Sequence, residues 1–167
     1  MTDYLPVEEG HAPLIAAMSD PAIRIVALTV TEGGYYTDPA TGGFDAGHED
    51  MRHDAAHPDN PGTAFGAMIA ALRLRREAGT GPFTAQSCDN LQGNGAVLRQ
   101  TLVSLARMSD PELALWISDH VSFPSSMVDC IVPATGPSEI ATAGAIVIEF
   151  AAPVSHENFR LFVIEDD

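Results

Sequence analysis

Two segments within the first 90 residues of the chain predict neighbouring strands of a sheet. Residues 23–31 (IRIVALTVT) are rich in β-branched side chains and almost continuously apolar, which is typical of a parallel strand covered on both faces. Residues 82–88 (PFTAQSC) predict a second strand. Polar segments follow both: Glu32-Gly33-Gly34 after the first and DNLQGNG, residues 89–95, after the second. In open α/β sheets this carboxyl end is where ligands bind.

Helical patterns follow each predicted strand. Apolar residues three and four apart over residues 63–78, with arginines just before Gly79, predict an amphipathic helix. Residues 96–108 predict a second helix, and the sequence SDPE at 109–112 has the form of a capping box that starts a third. The order strand, helix, strand, helix predicts an α/β fold with a mostly parallel sheet and flanking helices.

The remaining segments carry weaker patterns. Residues 35–61 are rich in Gly, Pro, Asp and His and predict a long excursion with about one helical turn. Residues 121–133 predict an extended segment, residues 139–145 are a candidate helix, and residues 146–150 and 159–164 are apolar runs.

Composition narrows the class of protein. The chain has 167 residues, of which 46% are hydrophobic, enough for one domain with a core. Its net charge of −15 argues against nucleic acid and against anionic membrane surfaces as partners. No apolar stretch is long enough to span a bilayer and the start does not resemble a signal peptide, so we expect a cytoplasmic protein. Cys88 and Cys130 are then expected to remain thiols.

The absence of lysine limits the chemistry further. All 8 basic residues of the chain are arginines. Because a guanidinium stays protonated, this chain cannot itself supply a lysine base, a Schiff base or a phosphate-binding lysine.

Polar residues after the predicted strands are candidates for chemistry. The Asn90 carboxamide offers a donor for an oxygen that becomes negative and an acceptor for a hydroxyl proton, and nearby glycines would let a cofactor approach the backbone. Glu32 on the neighbouring strand could relay a proton, and Asp129 could add a third polar group. The alternative is that Asn90 and Asn94 are turn or cap residues, Glu32 a loop residue and Asp129 a surface carboxylate.

A second cluster, HEDMRHDAAH at residues 48–57, raises the possibility of a metal site. His53 and His57 are four residues apart and would share a helix face. The rest of a ligand set is not specified, so we expect no metal.

Four passages of the chain resemble successive motifs of one family. TVTEGGYY, PFTAQSCDNLQGNG, VSFPSSMVDCIVPAT and FVIEDD are similar, in the same order, to motifs of the mannitol dehydrogenase family. These are zinc-independent long-chain polyol dehydrogenases, with fructuronate and tagaturonate reductases as relatives. The resemblance spans residues 3–167.

The resemblance implies a Rossmann-type NAD-binding domain followed by a mostly helical domain, with the active site between them. It implies metal-free hydride transfer between a secondary hydroxyl of a sugar alcohol, or the corresponding keto-sugar, and NAD. Asn90 would help to bind the reacting oxygen, Glu32 would line the proton path and Asp129 would lie near the nicotinamide. Thr31 and Asn90 would contribute to cofactor binding.

The departures from the family pattern are equally informative. The glycine-rich pyrophosphate loop and its acidic ribose-binding residue are not found, and neither is the downstream domain with its lysine base, asparagine and histidine. We therefore expect residues 1–167 to be a single partial domain, the second half of a dinucleotide-binding domain. Such a chain would not be catalytically competent alone and would work as a segment of a larger polyol dehydrogenase or together with a complementing chain. The alternative is a non-catalytic α/β remnant that self-associates through its sheet edge.

Overall fold

The computed structural model of the protein describes residues 5, 10–128, 136, 141 and 161–166. The chain divides into two units, one formed by residues 1–126 and 165–167 and the other by residues 127–164. The predicted strands and helices of the first half of the chain all lie in the first unit.

The centre of the first unit is a parallel strand pair, as predicted. Strand β1 (Ile25–Leu28) pairs with strand β2 (Thr84–Ser87), with Ile25 opposite Thr84 and Leu28 opposite Ser87. On the other side of β2, the Ala85 N–H donates to the Ser122 carbonyl at 3.0 Å. Strand β1 ends earlier than predicted, and the N–H groups of Val30 and Thr31 bond to the side chain of Asp89 instead of to another strand.

The prediction that β1 is covered on both faces was wrong. Leu28 is buried, but Ile25 is 58% exposed and Ile23 is 37% exposed. Among the described residues β1 pairs only with β2, so its other edge is open. An apolar composition shows that a strand can be buried on both faces. Within the described residues, only one face of β1 is packed against the rest of the chain.

Five α-helices accompany this strand pair in the described part of the chain. They are α1 (Ala12–Ser19), α2 (Glu49–Ala56), α3 (Ala64–Glu77), α4 (Asn94–Ser109) and α5 (Pro111–His120). Helices α3 and α4 match the predicted periodicity, and their apolar faces supply much of the core, including Phe65, Met68, Leu72, Leu98 and Leu102.

The helix α5 begins one residue later than the capping pattern predicted. Ser109 is the last residue of α4, and Asp110 is the cap, with its Oδ1 accepting the Leu113 N–H at 2.9 Å. Pro111 occupies the first turn, as predicted. Asp and Ser are equally favourable N-cap residues. Because proline is favoured at the first helical position, Asp110, the residue directly before Pro111, becomes the N-cap.

The excursion at residues 35–61 contains more helix than predicted. Helix α2 has 8 residues rather than a single turn. It is stabilised by burial of Met51 and of Asp54, whose carboxylate accepts hydrogen bonds from the Gly62 N–H at 2.6 Å and from the Thr63 N–H at 3.2 Å. These bonds connect α2 to the N-terminus of α3, where a negative charge is favourable.

A buried arginine holds the opposite end of α3. Arg75 is 2% exposed, and its guanidinium donates to the carbonyls of Met18, Asp20, Ile23 and Gly81. Burial lowers the pKa of Arg75. These bonds fix the ends of α1 and α3 against the entry to β1.

The later part of the chain is described only in part. Strands β3 (Ser126–Val128) and β4 (Phe162–Ile164) form a second two-stranded sheet, within the predicted extended segment and the last apolar run. The candidate helix at 139–145, except Ala141, and the run at 146–150 lie outside the described residues, as do Asp129 and Cys130. None of the helices in the described part of the chain has the length and apolar content that a membrane span requires.

The first turn of α4 lies directly against the extended segment at residues 123–125. A Cβ added at Gly95 would be 2.2 Å from the Phe123 carbonyl oxygen and 2.8 Å from the Ser125 nitrogen. Both are backbone atoms and cannot rotate away. Gly95 is therefore required for the helix to pack at this distance.

Replacing Gly95 by alanine should lower the free energy of unfolding by about 1–3 kcal/mol or more, the cost of overpacking. Gly81→Ala is the matched control, because a Cβ there meets no atom within 4 Å and its φ is not positive. We expect the control to stay within about 0.5 kcal/mol of the unmodified chain. Urea denaturation followed by circular dichroism measures both, and equal stabilities for the two variants would contradict the packing argument.

Candidate active site

The carboxyl ends of β1 and β2 bring together the polar residues that the sequence singled out there. Thr31 and Glu32 follow β1, Asn90 follows β2, and all three are exposed. Because the strands are parallel with Leu28 opposite Ser87, these residues lie at the same edge of the sheet. Asp129, the fourth candidate, lies outside the described residues.

A buried carboxylate holds the chain in place where it leaves β1. Asp89 is 9% exposed. Its Oδ2 accepts the Val30 N–H at 2.9 Å, and its Oδ1 accepts the Thr31 N–H at 2.9 Å. Two charge-assisted hydrogen bonds to consecutive amides fix the direction of the backbone at this point.

The same carboxylate also holds the far end of the turn. Residues Glu32–Tyr35 form a 3-10 helix, and the hydroxyl of the fully buried Tyr35 donates to Asp89 Oδ2 at 2.7 Å. Ser87 Oγ lies 2.5 Å from that hydroxyl and accepts the Asp89 N–H at 3.3 Å. We call these bonds among Val30, Thr31, Tyr35, Ser87 and Asp89 the Asp89 network.

The Tyr35 hydroxyl remains protonated within this network. Burial raises the pKa of Tyr35, and its hydrogen bond to the Asp89 carboxylate raises that pKa further. A neutral phenol can donate to the carboxylate, whereas a phenolate would repel it.

The backbone at Thr31 is strained. Its φ is 65° and its ψ is 164°, a region that is essentially restricted to glycine and is a genuine outlier for a β-branched residue. Such strain costs about 1–3 kcal/mol and persists only where the surroundings impose it. The Asp89 bond to the Thr31 N–H and the Gly34 N–H bond to the Thr31 carbonyl at 3.0 Å impose it here.

Asn94 fixes the segment that carries Asn90. It is fully buried, and its Nδ2 donates to the carbonyls of Asp89 at 3.1 Å and of Ser126 at 2.8 Å. Its Oδ1 accepts the Ser126 N–H at 2.9 Å. The reading of Asn94 as a turn or cap residue was wrong, because the cap position belongs to Gly93 and Asn94 links β2 to the start of β3.

The glycines around Asn94 serve different purposes. Gly93 has a φ of +64°, and a Cβ there would meet nothing within 4 Å, which leaves the space beside this backbone open. Gly95 faces the protein's own backbone at residues 123–125. The prediction that the glycines admit a cofactor was therefore wrong for Gly95.

The described residues offer no metal site and no activated thiol. No group of three His, Cys, Asp or Glu in the described ranges could hold a metal ion. His53 and His57 stack, with ring centroids 4.6 Å apart, and the Nδ1 of each is within hydrogen-bond distance of a protein oxygen. Burial, with the nearby Asp89 charge, raises the pKa of the Cys88 thiol.

A parallel strand pair flanked by helices, with exposed polar residues at its carboxyl edge, is the arrangement of an open α/β fold. Residues 3–167 match the family model of the mannitol dehydrogenase Rossmann domain, and the chain belongs to this family. The predicted fold class and family are thereby confirmed.

The chain is similar along its whole length to part of several larger proteins. It is 58% identical over 166 residues to the mannitol 2-dehydrogenase of Cereibacter sphaeroides, covering 99% of this chain and 35% of that protein. It is 42% identical to the polyol:NADP oxidoreductase of Gluconobacter oxydans strain 621H, covering 99% and 34%. The Pseudomonas fluorescens mannitol 2-dehydrogenase, solved as a ternary complex with NAD and D-mannitol, is 45% identical with a TM-score of 0.82, covering 100% and 34%. The chain thus spans about a third of the length of these relatives.

The roles of Asp89 and Tyr35 and the linking role of Asn94 were not predicted from the sequence. One signal was present: Asp89 directly follows an apolar predicted strand, where a carboxylate is buried only if hydrogen-bond donors surround it. The donors themselves could not be identified, because Thr31 is 58 residues away in the chain.

Replacing Tyr35 by phenylalanine should lower the free energy of unfolding by about 1–3 kcal/mol, since it leaves buried partners unsatisfied. Tyr36→Phe is the matched control, because the hydroxyl of that adjacent tyrosine bonds to Asp50 at an exposed position. We expect the control to change stability by about 0.5 kcal/mol or less. Urea denaturation at pH 7 measures both, and a Tyr35→Phe variant as stable as the control would contradict the proposed network.

Stability should fall as the pH rises above about 10, the ordinary pKa of tyrosine. In the folded state burial raises the pKa of Tyr35, and burial with the Asp50 hydrogen bond raises the pKa of Tyr36 to about 12. The unfolded chain therefore loses these protons first, which favours unfolding. Urea midpoints measured between pH 9 and 11 should fall less steeply in Tyr35→Phe than in the unmodified chain. Identical slopes would refute the raised pKa.

Proposed function

We propose that this chain supplies part of the cofactor and substrate site of an NAD-dependent polyol dehydrogenase. The reaction transfers a hydride between the carbon of a secondary hydroxyl in a sugar alcohol and NAD. One observation carries the proposal: Thr31, Glu32 and Asn90 are exposed at one edge of the sheet, on segments that the Asp89 network and Asn94 hold in place. Membership of the family and the names of the relatives support the choice of a polyol as substrate.

Asn90 binds the reacting oxygen. Its side chain is exposed and makes no hydrogen bond within the described residues, so both its donor and its acceptor are available. The amide Nδ2 donates to the oxygen as negative charge develops on it, and Oδ1 can accept the hydroxyl proton beforehand.

Glu32 lines the path by which the proton leaves. Its carboxylate is exposed at the first position of the 3-10 helix, where it can pass a proton to water. Asp129 is proposed to lie near the nicotinamide, as the family resemblance implies.

The edge fits a dinucleotide. The exposed Thr31 hydroxyl and Asn90 carboxamide are suitable partners for its polar groups, and the open space at Gly93 allows close approach to the backbone.

When bound, NAD supplies the hydride acceptor. The alcohol then loses a hydride from carbon and a proton from oxygen, which leaves a keto-sugar. The base that takes this proton is a lysine by family resemblance, and because this chain contains none, we propose that a further segment or a complementing chain supplies it.

The isolated chain should not reduce NAD with any hexitol, because the general base is missing and such a base contributes about 10²–10⁴-fold to the rate. Absorbance at 340 nm with mannitol and sorbitol measures this. Turnover by the 167-residue chain at the rate of a complete enzyme would overturn the assignment of the base to another segment.

A chimera tests the function itself. This chain would replace the matching 166 residues of the Cereibacter sphaeroides mannitol 2-dehydrogenase, and we expect the chimera to oxidise mannitol with NAD. Within it, Asn90→Ala should lower kcat by about 10²–10³-fold, the usual effect of removing an oxyanion donor. Gln92→Ala is the matched control, since it removes an exposed carboxamide two positions away, and it should leave kcat unchanged. A folded but inactive chimera would favour the alternative, a non-catalytic α/β module.

A further inference from the structure

One buried carboxylate holds both ends of the turn that carries Thr31 and Glu32. Asp89 accepts the N–H groups of Val30 and Thr31 where the turn begins and the Tyr35 hydroxyl where the turn ends. The Tyr35 carbonyl is held as well, by the Thr101 hydroxyl at 2.9 Å. The exposed residues between these points therefore project from a backbone with little freedom.

The hydrogen bonds of the Asp89 network form a closed ring. The Asp89 N–H donates to Ser87 Oγ, the Ser87 hydroxyl is paired with the Tyr35 hydroxyl, and the latter donates to Asp89 Oδ2. Every group in a buried ring of this kind is satisfied, and such bonds strengthen one another. The carboxylate is thus itself held in one orientation.

Asp89 also connects the two segments of the proposed site. Its side chain holds the Thr31 amide, and its carbonyl accepts the Leu91 N–H at 2.8 Å and the Asn94 side chain at 3.1 Å. Asn90 lies between these bonds in the chain. The distance from Asn90 to the Thr31–Glu32 segment is therefore set through this residue.

We infer that Asp89 is a positioning residue that holds Thr31 and Glu32 in a strained conformation at a fixed distance from Asn90. The inference rests on the proposed function and adds to it the residue on which the site geometry depends. It explains why Thr31, a β-branched residue with an exposed side chain, retains a φ of 65°. Without the carboxylate the turn can relax, and Thr31 and Glu32 move away from the cofactor and the proton path.

The variant Asp89→Asn tests this. The amide has the same shape, but its NH2 group must face the N–H of Val30 or of Thr31, so at least one of these bonds is lost. Asp54→Asn is the matched control. Asp54 is also buried, also accepts two consecutive backbone N–H groups and a hydroxyl, and makes no hydrogen bond to the Asp89 network.

The first measurement is amide hydrogen exchange by NMR on the 167-residue chain. In Asp89→Asn the Val30 or Thr31 amide should exchange about 10-fold faster or more, the factor expected from loss of a bond to a charged group, while Gly62 and Thr63 exchange as before. In Asp54→Asn the pattern should reverse. Unchanged exchange at both Val30 and Thr31 would overturn the inference, whatever the activity of the chimera.

The second measurement is the kinetics of the chimera at a temperature where each variant is fully folded. Asp89→Asn should lower kcat by about 10- to 100-fold and raise the KM for NAD, because a misplacement of about 1 Å at an active site has effects of this size. Asp54→Asn should change neither constant. A purely structural role for Asp89 would change the melting temperature of both variants and the kinetic constants of neither, and that result would overturn the inference.

The outcomes separate this inference from the proposed function. An inactive unmodified chimera refutes the function, and with it the role of Asp89 in catalysis. An active chimera in which Asp89→Asn performs like Asp54→Asn refutes the positioning role alone. If Asp89→Asn does not fold, Tyr35→Phe decides, because it releases only the far end of the turn, and we expect kcat to fall several-fold. An unchanged kcat in that variant contradicts the inference.

Discussion

The hydrogen bonds from the Asp89 carboxylate to the Val30 and Thr31 amides determine the shape of the sheet edge. They stop β1 at the point where its backbone would otherwise continue as a strand, and they turn the chain into the 3-10 helix that carries Glu32. A charged side chain at this depth is stable because both of its oxygens accept hydrogen bonds from protein donors. The donors are the Tyr35 hydroxyl and the two amides, and Ser87 in turn pairs with the Tyr35 hydroxyl.

Stability and the proposed function depend on the same hydrogen bonds at this edge. The strain at Thr31 is an energetic cost that a glycine at this position would avoid. Elsewhere in this unit, buried charged side chains are satisfied without a strained backbone. Arg75 satisfies four carbonyls in an unstrained setting, and Asp54 satisfies the start of α3. A strained Thr31 backbone at the carboxyl edge of a Rossmann-type sheet is consistent with a turn retained for binding.

The sequence predicted the architecture where the signal is local. The β-branched run of β1 and the helical periodicity of α3 and α4 depend on neighbours in the chain, and the parallel order follows from their alternation. Prediction from the sequence was wrong where a feature depends on residues that are distant in the chain. The exposure of Ile25 depends on what covers β1, and the extent of α2 depends on Asp54 reaching Gly62 and Thr63. For the site, the positions of Asn90 and Glu32 at one edge could be predicted from strand ends alone, whereas the carboxylate that holds them could not.

A crystal structure of the chimera with NAD would show whether the carboxyl edge of β1 and β2 is the cofactor face. We expect the nicotinamide end of NAD to lie within hydrogen-bond distance, up to about 3.2 Å, of Thr31 or Asn90, with the Thr31 φ still positive. A cofactor bound away from both residues, or a Thr31 relaxed to an ordinary β conformation with NAD in place, would contradict it.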